Sequence, residues 1–122
     1  MNRAEPIREA LALYKKHGWT LRRVLLSKES RNELKDSLGE LFGAAEVFDF
    51  GKDAAWFSRA SGKDREAWEL RLFGDAPFAL VEVFSADRDE PARDLARREM
   101  EQRILEFRES RESKESGESK DS

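Results

Sequence analysis

Hydrophobic and polar residues alternate along residues 66–85 in the pattern of two β-strands joined by a tight turn at residues 74–77. If the turn is centred between Asp75 and Ala76, Phe73 faces Phe78 and Trp68 faces Val83. This register places an apolar set on one side of the hairpin: Trp68, Leu70, Leu72, Ala79, Val81 and Val83. The other side receives a mixed set: Glu69, Arg71, Phe73, Phe78, Leu80, Glu82 and Phe84. Such a hairpin predicts a sheet with one face covered by helices and one face open to water or a partner.

Helical periodicity is present at both ends of the chain. Residues 4–17 predict a helix that buries a stripe with i, i+3, i+4, i+7 spacing: Ile7, Ala10, Leu11 and Tyr14. His17 lies in the last turn before Gly18, so we interpret the one histidine of the chain as a helix-terminating residue. Residues 90–107 predict a second helix, with Asp87 or Asp89 as its N-cap. Its apolar stripe is Ala96, Met100, Ile104 and Phe107.

Strands are predicted at residues 19–27, 45–50 and 54–60, from their β-branched and aromatic residues. Between the first two, Ser30 and Glu33 have the spacing of a capping box and predict a helix to Phe42. A strand, a helix and a strand in succession indicate a parallel pair with a right-handed crossover. The strand at 54–60 and the hairpin that follows predict an antiparallel meander.

These elements predict an α+β domain over residues 1–108, in the order α-β-α-β-β-β-β-α. Its core is a mostly antiparallel five-stranded sheet, with helices mainly on one face. Residues 109–122 contain no apolar side chain and predict a disordered charged tail rich in Ser, Glu and Lys. A chain of 122 residues fits one such domain.

Composition narrows the classes of function. Charged residues make up 40% of the chain, but the net charge is only −3, which does not favour binding to nucleic acid by bulk electrostatics. The absence of cysteine excludes disulfides and thiolate metal sites. The sequence shows neither a signal-peptide core nor an apolar run of the roughly 20 residues that a membrane span needs. We therefore expect a cytoplasmic protein without a cofactor, a metal or a membrane partner.

The mixed side of the hairpin is the candidate interaction surface. Its apolar residues Phe73, Phe78, Leu80 and Phe84 are bordered by Glu69, Arg71 and Glu82. An apolar patch with a charged rim is typical of contact with another protein chain. The favoured hypothesis is a non-enzymatic protein-binding or adaptor module, acting as a homodimer or in a complex.

Two alternatives use the same hairpin. In the register above, Glu69 faces Glu82, and paired carboxylates can hold a metal ion or perform acid–base catalysis of a small molecule. Arg71 and Arg59 on the same side would instead make these acids part of an ordinary ion-pair lattice. The third hypothesis is nucleic-acid binding, in which Trp19, Trp56, Phe57 and Trp68 stack on bases and nearby arginines contact phosphates.

Overall fold

A five-stranded mixed sheet carries every other element of the fold. The computed structural model describes residues 3–74 and 78–107. Its helices are α1 (Ala4–Lys16), α2 (Lys28–Glu33), α3 (Leu38–Phe42) and α4 (Glu90–Glu106), with a short 3-10 turn at Lys35–Ser37. Its strands are β1 (Thr20–Leu26), β2 (Glu46–Asp49), β3 (Ala54–Ala60), β4 (Arg65–Leu72) and β5 (Phe78–Ser85). The strand order across the sheet is β2-β1-β3-β4-β5.

This arrangement confirms the α+β class and the five-stranded sheet. Strands β3, β4 and β5 form the predicted antiparallel meander, and β1 and β2 form the predicted parallel pair. The sequence did not indicate where β1 lies. It occupies the second position, between β2 and β3, and pairs antiparallel with β3.

Both faces of the sheet carry packed helices. One face packs against α1, α2 and α3 through a cluster that includes Ile7, Val24 and Phe42. The other face packs against α4, where Trp56 and Phe84 contact Met100 and Ile104. Three of the four helices thus share one face, as expected. Helix α4 packs on the other face, which carries Trp68 and Leu70, so each face of the sheet is at least partly covered.

The register predicted for the β4–β5 hairpin is wrong by one residue. Leu72 lies opposite Phe78, and Trp68 lies opposite Glu82 instead of Val83. Because side chains alternate with a period of two, this shift moves every residue of β5 to the other face relative to β4. Leu80 and Phe84 therefore join Trp68 under α4, while Val81 joins Glu69 on the α1 face. The turn residues 75–77 lie outside the described residues.

The predicted capping box is also wrong. The helix begins three residues earlier, with Ser27 as the N-cap, and the Ser27 hydroxyl accepts a hydrogen bond of 3.2 Å from the Ser30 amide. Ser30 is fully buried, and its hydroxyl donates to the carboxylate of Asp53, the residue before β3. A buried serine is stable only when its hydroxyl is hydrogen-bonded, and this bond ties α2 to the sheet. At the other end of the fold, Asp89 caps α4 as predicted.

None of the described helices is both long enough and apolar enough to cross a membrane. The charged segment predicted to be disordered, residues 109–122, lies outside the described part of the chain.

Candidate functional site

Helix α1 covers only part of its face of the sheet. Tyr14 stacks on Phe57 of β3, with ring centroids 4.0 Å apart. Beyond Phe57 on the same face lie Glu69 of β4 and Val81 of β5, which pair across the two strands. No described helix covers this outer part, so Val81 is 54% exposed and Val83 43% exposed. We call the uncovered surface formed by Leu13, Arg59, Glu69, Arg71, Val81 and Val83 the open face.

A groove of about 330 Å³ runs along the open face beside the end of α1. Its lining comes from two sources: Leu13, Tyr14, His17 and Trp19 at the end of α1, and Arg59, Glu69 and Arg71 on the sheet. The helix ends here because Gly18 adopts a positive φ of 86°, which turns the chain back toward β1. His17 is the C-cap of α1, which agrees with its predicted role in ending the helix.

Tyr14 connects the groove to the core. Its hydroxyl donates a short hydrogen bond to the Glu69 carboxylate. Burial of the phenol, together with this bond to a carboxylate, raises the pKa of Tyr14 to about 12, although the nearby Arg71 guanidinium acts in the opposite direction. Tyr14 is therefore a neutral hydrogen-bond donor at physiological pH. Among the described residues, the Glu69 carboxylate accepts this hydrogen bond through one oxygen, and its second oxygen has no partner.

The two arginines of the groove differ from most others in the fold. Arg59 lies over the Trp19 ring, 4.5 Å from its centroid, and donates to the His17 carbonyl at 2.7 Å. Arg71 lies 5.6 Å from the Tyr14 ring centroid, and its Nε donates to the Leu72 carbonyl at 3.2 Å. Within residues 3–74 and 78–107, neither guanidinium forms a salt bridge, whereas Arg8 and Arg93 each pair with a carboxylate. These contacts, together with the interaction between Arg71 and the Tyr14 hydroxyl, hold each guanidinium in place. Among the described residues, each guanidinium still has N–H groups that could donate to a ligand.

The structure brings together three of the residues that the sequence analysis placed on one side of the sheet. Arg59, Glu69 and Arg71 share the α1 face, as predicted. Glu82 does not join them, because it lies on the α4 face, where it pairs with Arg88 at 3.5 Å. The predicted pair of carboxylates, Glu69 and Glu82, is therefore wrong.

The predicted apolar patch is divided between the two faces of the sheet. Phe73 packs with the α1 side, against residues such as Phe57. Phe78 stacks on Phe107 with ring centroids 4.0 Å apart, on the α4 side. Leu80 is partly buried there, and Phe84 is fully buried. These four side chains serve mainly as core, because α4 covers the side of β5 on which three of them lie.

The aromatic residues considered for base stacking are mostly buried. Trp56, Phe57 and Trp68 are each at most 5% exposed, so their rings are not open to a base. A bulge in β1 between Leu21 and Arg23 directs Arg22 toward the Trp68 ring, 4.9 Å from its centroid. Trp19 is the partly exposed aromatic of this group, and its ring is stacked against Arg59.

Sequence reasoning missed Leu13, Val81 and Val83 as surface residues. Leu13 is 50% exposed. The sequence could have indicated this exposure, because Leu13 lies outside the buried stripe of α1. The two valines had no comparable signal, because their assignment to the core followed from the hairpin register alone.

The described residues contain no cluster of side chains suited to binding a metal ion. Within residues 3–74 and 78–107, no three His, Asp or Glu side chains form a group that could hold a metal ion. Comparisons with protein-family models, curated proteins and solved structures found no match to this chain.

Proposed function

We propose that this chain is a protein-binding module that uses the open face to bind a partner segment with an acidic side chain flanked by apolar residues. The observation that carries this proposal is the position of Arg59 and Arg71. Both line the groove, and neither has a carboxylate partner in the described structure. A partner carboxylate would give them charge-assisted hydrogen bonds of the kind that Arg8 and Arg93 already have.

The surroundings of the two arginines favour a peptide over a free anion. Leu13, Val81 and Val83 are exposed beside them and supply apolar contact area. The Glu69 oxygen that has no partner among the described residues is an acceptor suited to a backbone amide of the bound segment. An apolar centre with a few placed polar groups is the usual composition of a binding surface.

The arrangement also supports recognition without catalysis. The raised pKa of Tyr14 disfavours the phenolate that a proton-transfer role would need, and the Glu69 carboxylate is engaged with the Tyr14 hydroxyl. The enzyme alternative depended on Glu69 and Glu82 acting together, and these residues lie on opposite faces of the sheet.

The experiment is a selection of displayed random peptides on the immobilised full chain, followed by fluorescence anisotropy with the enriched peptides. We expect enrichment of Asp or Glu between apolar residues. Arg71→Gln should weaken binding at least tenfold, equivalent to about 1.4 kcal/mol. Val83→Asp should weaken it similarly, by placing a carboxylate among the apolar contacts.

Matched controls come from α4, on the other side of the sheet. Arg103→Gln removes an exposed arginine there, and Leu95→Asp changes a leucine that is 59% exposed. Both control variants should bind the selected peptides like the wild type. Peptides without an acidic residue, or binding that is equally strong in Arg71→Gln, would contradict the proposal.

A further inference from the structure

The two edges of the sheet differ in length and chemistry. Strand β2 has four residues, and Glu46 and Asp49 at its ends are exposed carboxylates that discourage pairing with another strand. Strand β5 has eight residues, and Glu82 is its one charged side chain. In the part of the chain that the structure describes, no strand pairs with the outer side of β5. A long, weakly charged edge of this kind is a template for another strand.

The hydrogen-bonding direction along β5 follows from a single contact. The Ala86 amide donates to the Asp64 carbonyl at 2.8 Å, in the same register as the pairs within β4 and β5. Peptide groups in an antiparallel strand point alternately to one side and the other. The even-numbered residues of β5 therefore bond to β4. Ala79, Val81 and Val83 direct their N–H and C=O groups to the free edge.

We propose that β5 pairs antiparallel with β5 of a second copy of this chain, with the two-fold axis at Val81. Residues directly opposite each other in an antiparallel pair point to the same face of the sheet. Because side chains alternate along each strand, two copies of β5 can be related by a two-fold axis only if that axis passes through a residue and not between two residues. An axis at Glu82 would bring two carboxylates together, which is destabilising. An axis at Val81 places Glu82 opposite Leu80 of the second copy, and it uses all the outward peptide groups near the centre of the strand.

This pairing matches the chemistry of the edge. Val81 lies opposite its own counterpart, and Ala79 lies opposite Val83 of the second copy. The two-fold axis generates the Ala79–Val83 contact twice, so there are three hydrogen-bonded pairs and roughly six new backbone hydrogen bonds in the dimer. The contact is isologous and closes on itself, which leaves no free β5 edge for further growth.

The dimer also extends the open face. Because the two-fold axis is perpendicular to the sheet, the open faces of the two copies lie side by side on the same surface. Val81 and Val83 of both copies then form one continuous apolar strip between the two grooves. The inference rests on the edge of β5, and it does not require the peptide partner proposed above.

Cysteine cross-linking of the full chain tests both the dimer and its register, because the chain has no native cysteine. Val81→Cys should form a disulfide-linked dimer under mild oxidation, since the paired Cα atoms are about 5.5 Å apart. Val83→Cys is the matched control. Its two copies lie about 14 Å apart along the strands and should not cross-link. Glu82→Cys should also remain largely unlinked.

Light scattering of the wild type should give the mass of a dimer. Val81→Pro should give the mass of a monomer with unchanged circular dichroism, because this proline removes an outward N–H and spares the bonds to β4. A wild-type monomer across the accessible concentration range would overturn the proposal. Cross-linking that is strongest at Glu82→Cys would overturn the Val81 axis.

The outcome is distinguishable from that of the proposed function. A monomer that still binds the selected acidic peptides through Arg71 removes the dimer and leaves the binding module. A dimer cross-linked at Val81→Cys that binds no selected peptide removes the peptide proposal alone. A monomer whose Val81 and Val83 amides become protected only when a peptide is bound would assign the edge to the peptide, and would also overturn self-pairing.

Discussion

Glu69 lies opposite Val81, and Glu82 lies opposite Trp68, so the two carboxylates point to opposite faces of the sheet. Glu69 accepts a hydrogen bond from Tyr14, and Glu82 pairs with Arg88. Groups with separate partners on separate faces should not influence each other's energetics. This relationship decides how the two acids respond to mutation and to metal ions.

We expect Glu69→Gln and Glu82→Gln to have additive effects on the free energy of unfolding. The double variant should equal the sum of the single variants within about 0.5 kcal/mol, because the residues share no partner. Chemical denaturation of the four proteins provides the measurement. Mg²⁺, Mn²⁺ and Ca²⁺ should leave the melting temperature of the wild type unchanged. A coupling energy above about 1 kcal/mol, or a metal-dependent shift lost in the double variant, would show that the acids share a site.

The titration of Tyr14 can be followed directly, since it is the one tyrosine of the chain. Ultraviolet absorption of the phenolate should rise with a midpoint at pH about 12. An unperturbed tyrosine has a pKa of about 10. Because the pKa is raised in the folded state, the stability that this group contributes is complete below pH about 10 and decreases as the pH approaches 12.

Glu69→Gln is the control for the cause of this shift. The pKa of Tyr14 should fall, because the carboxylate that opposes phenolate formation is gone, but it should stay above about 10 because the phenol remains buried. In Tyr14→Phe, the free energy of unfolding should no longer show the decrease above about pH 10 that ionisation of Tyr14 causes in the wild type. A midpoint near pH 10 in the folded wild type would contradict the buried, hydrogen-bonded state of the hydroxyl.

Arg97 is a buried arginine whose packing should matter more than its charge. It is 2% exposed, lies 4.5 Å from the Trp68 ring centroid, and pairs with Glu90 and Asp94. Its Nε is buried and has no hydrogen-bond partner among the described residues. Arg97→Ala should lower the free energy of unfolding by about 3 kcal/mol, because it leaves a cavity under α4.

Arg97→Met should stay within about 1.5 kcal/mol of the wild type, because it fills much of the same volume and removes the cost of a buried charge. Arg98→Ala is the control, since that side chain is 75% exposed and should change stability by no more than about 0.5 kcal/mol. A Met variant as unstable as the Ala variant would show that the guanidinium itself holds α4 on the sheet.

Local patterns in the sequence were sufficient to predict most of the helices and strands. The stripe of α1 and the cap of α4 at Asp89 depend on residues within a few positions of each other, and both were predicted. The region around α2 was predicted less well. Ser27 and Ser30 are both acceptable N-caps by local rules, and the bond from the Ser30 hydroxyl to Asp53, 23 positions along the chain, assigns Ser30 to the interior.

The candidate site was predicted in part. The grouping of Arg59, Glu69 and Arg71 followed from strand alternation within the meander, and the structure confirms it. The contribution of Tyr14 and Trp19 to the groove could not be predicted in this way. The stripe of α1 shows which of its residues are buried, but it does not show which strand they contact. Val81 and Val83 were assigned to the core by a register that no local feature of the two strands could test.

The sequence alone determined which segments form strands and helices and which residues alternate on each strand, because these follow from neighbours along the chain. Only the tertiary structure decided the register of β5, the face that α4 covers and the edge that stays free. Each face of β5 carries apolar residues, so either register buries a hydrophobic set. The packing of Leu80 and Phe84 against α4 selects between them, and it leaves Val81 and Val83 at the surface.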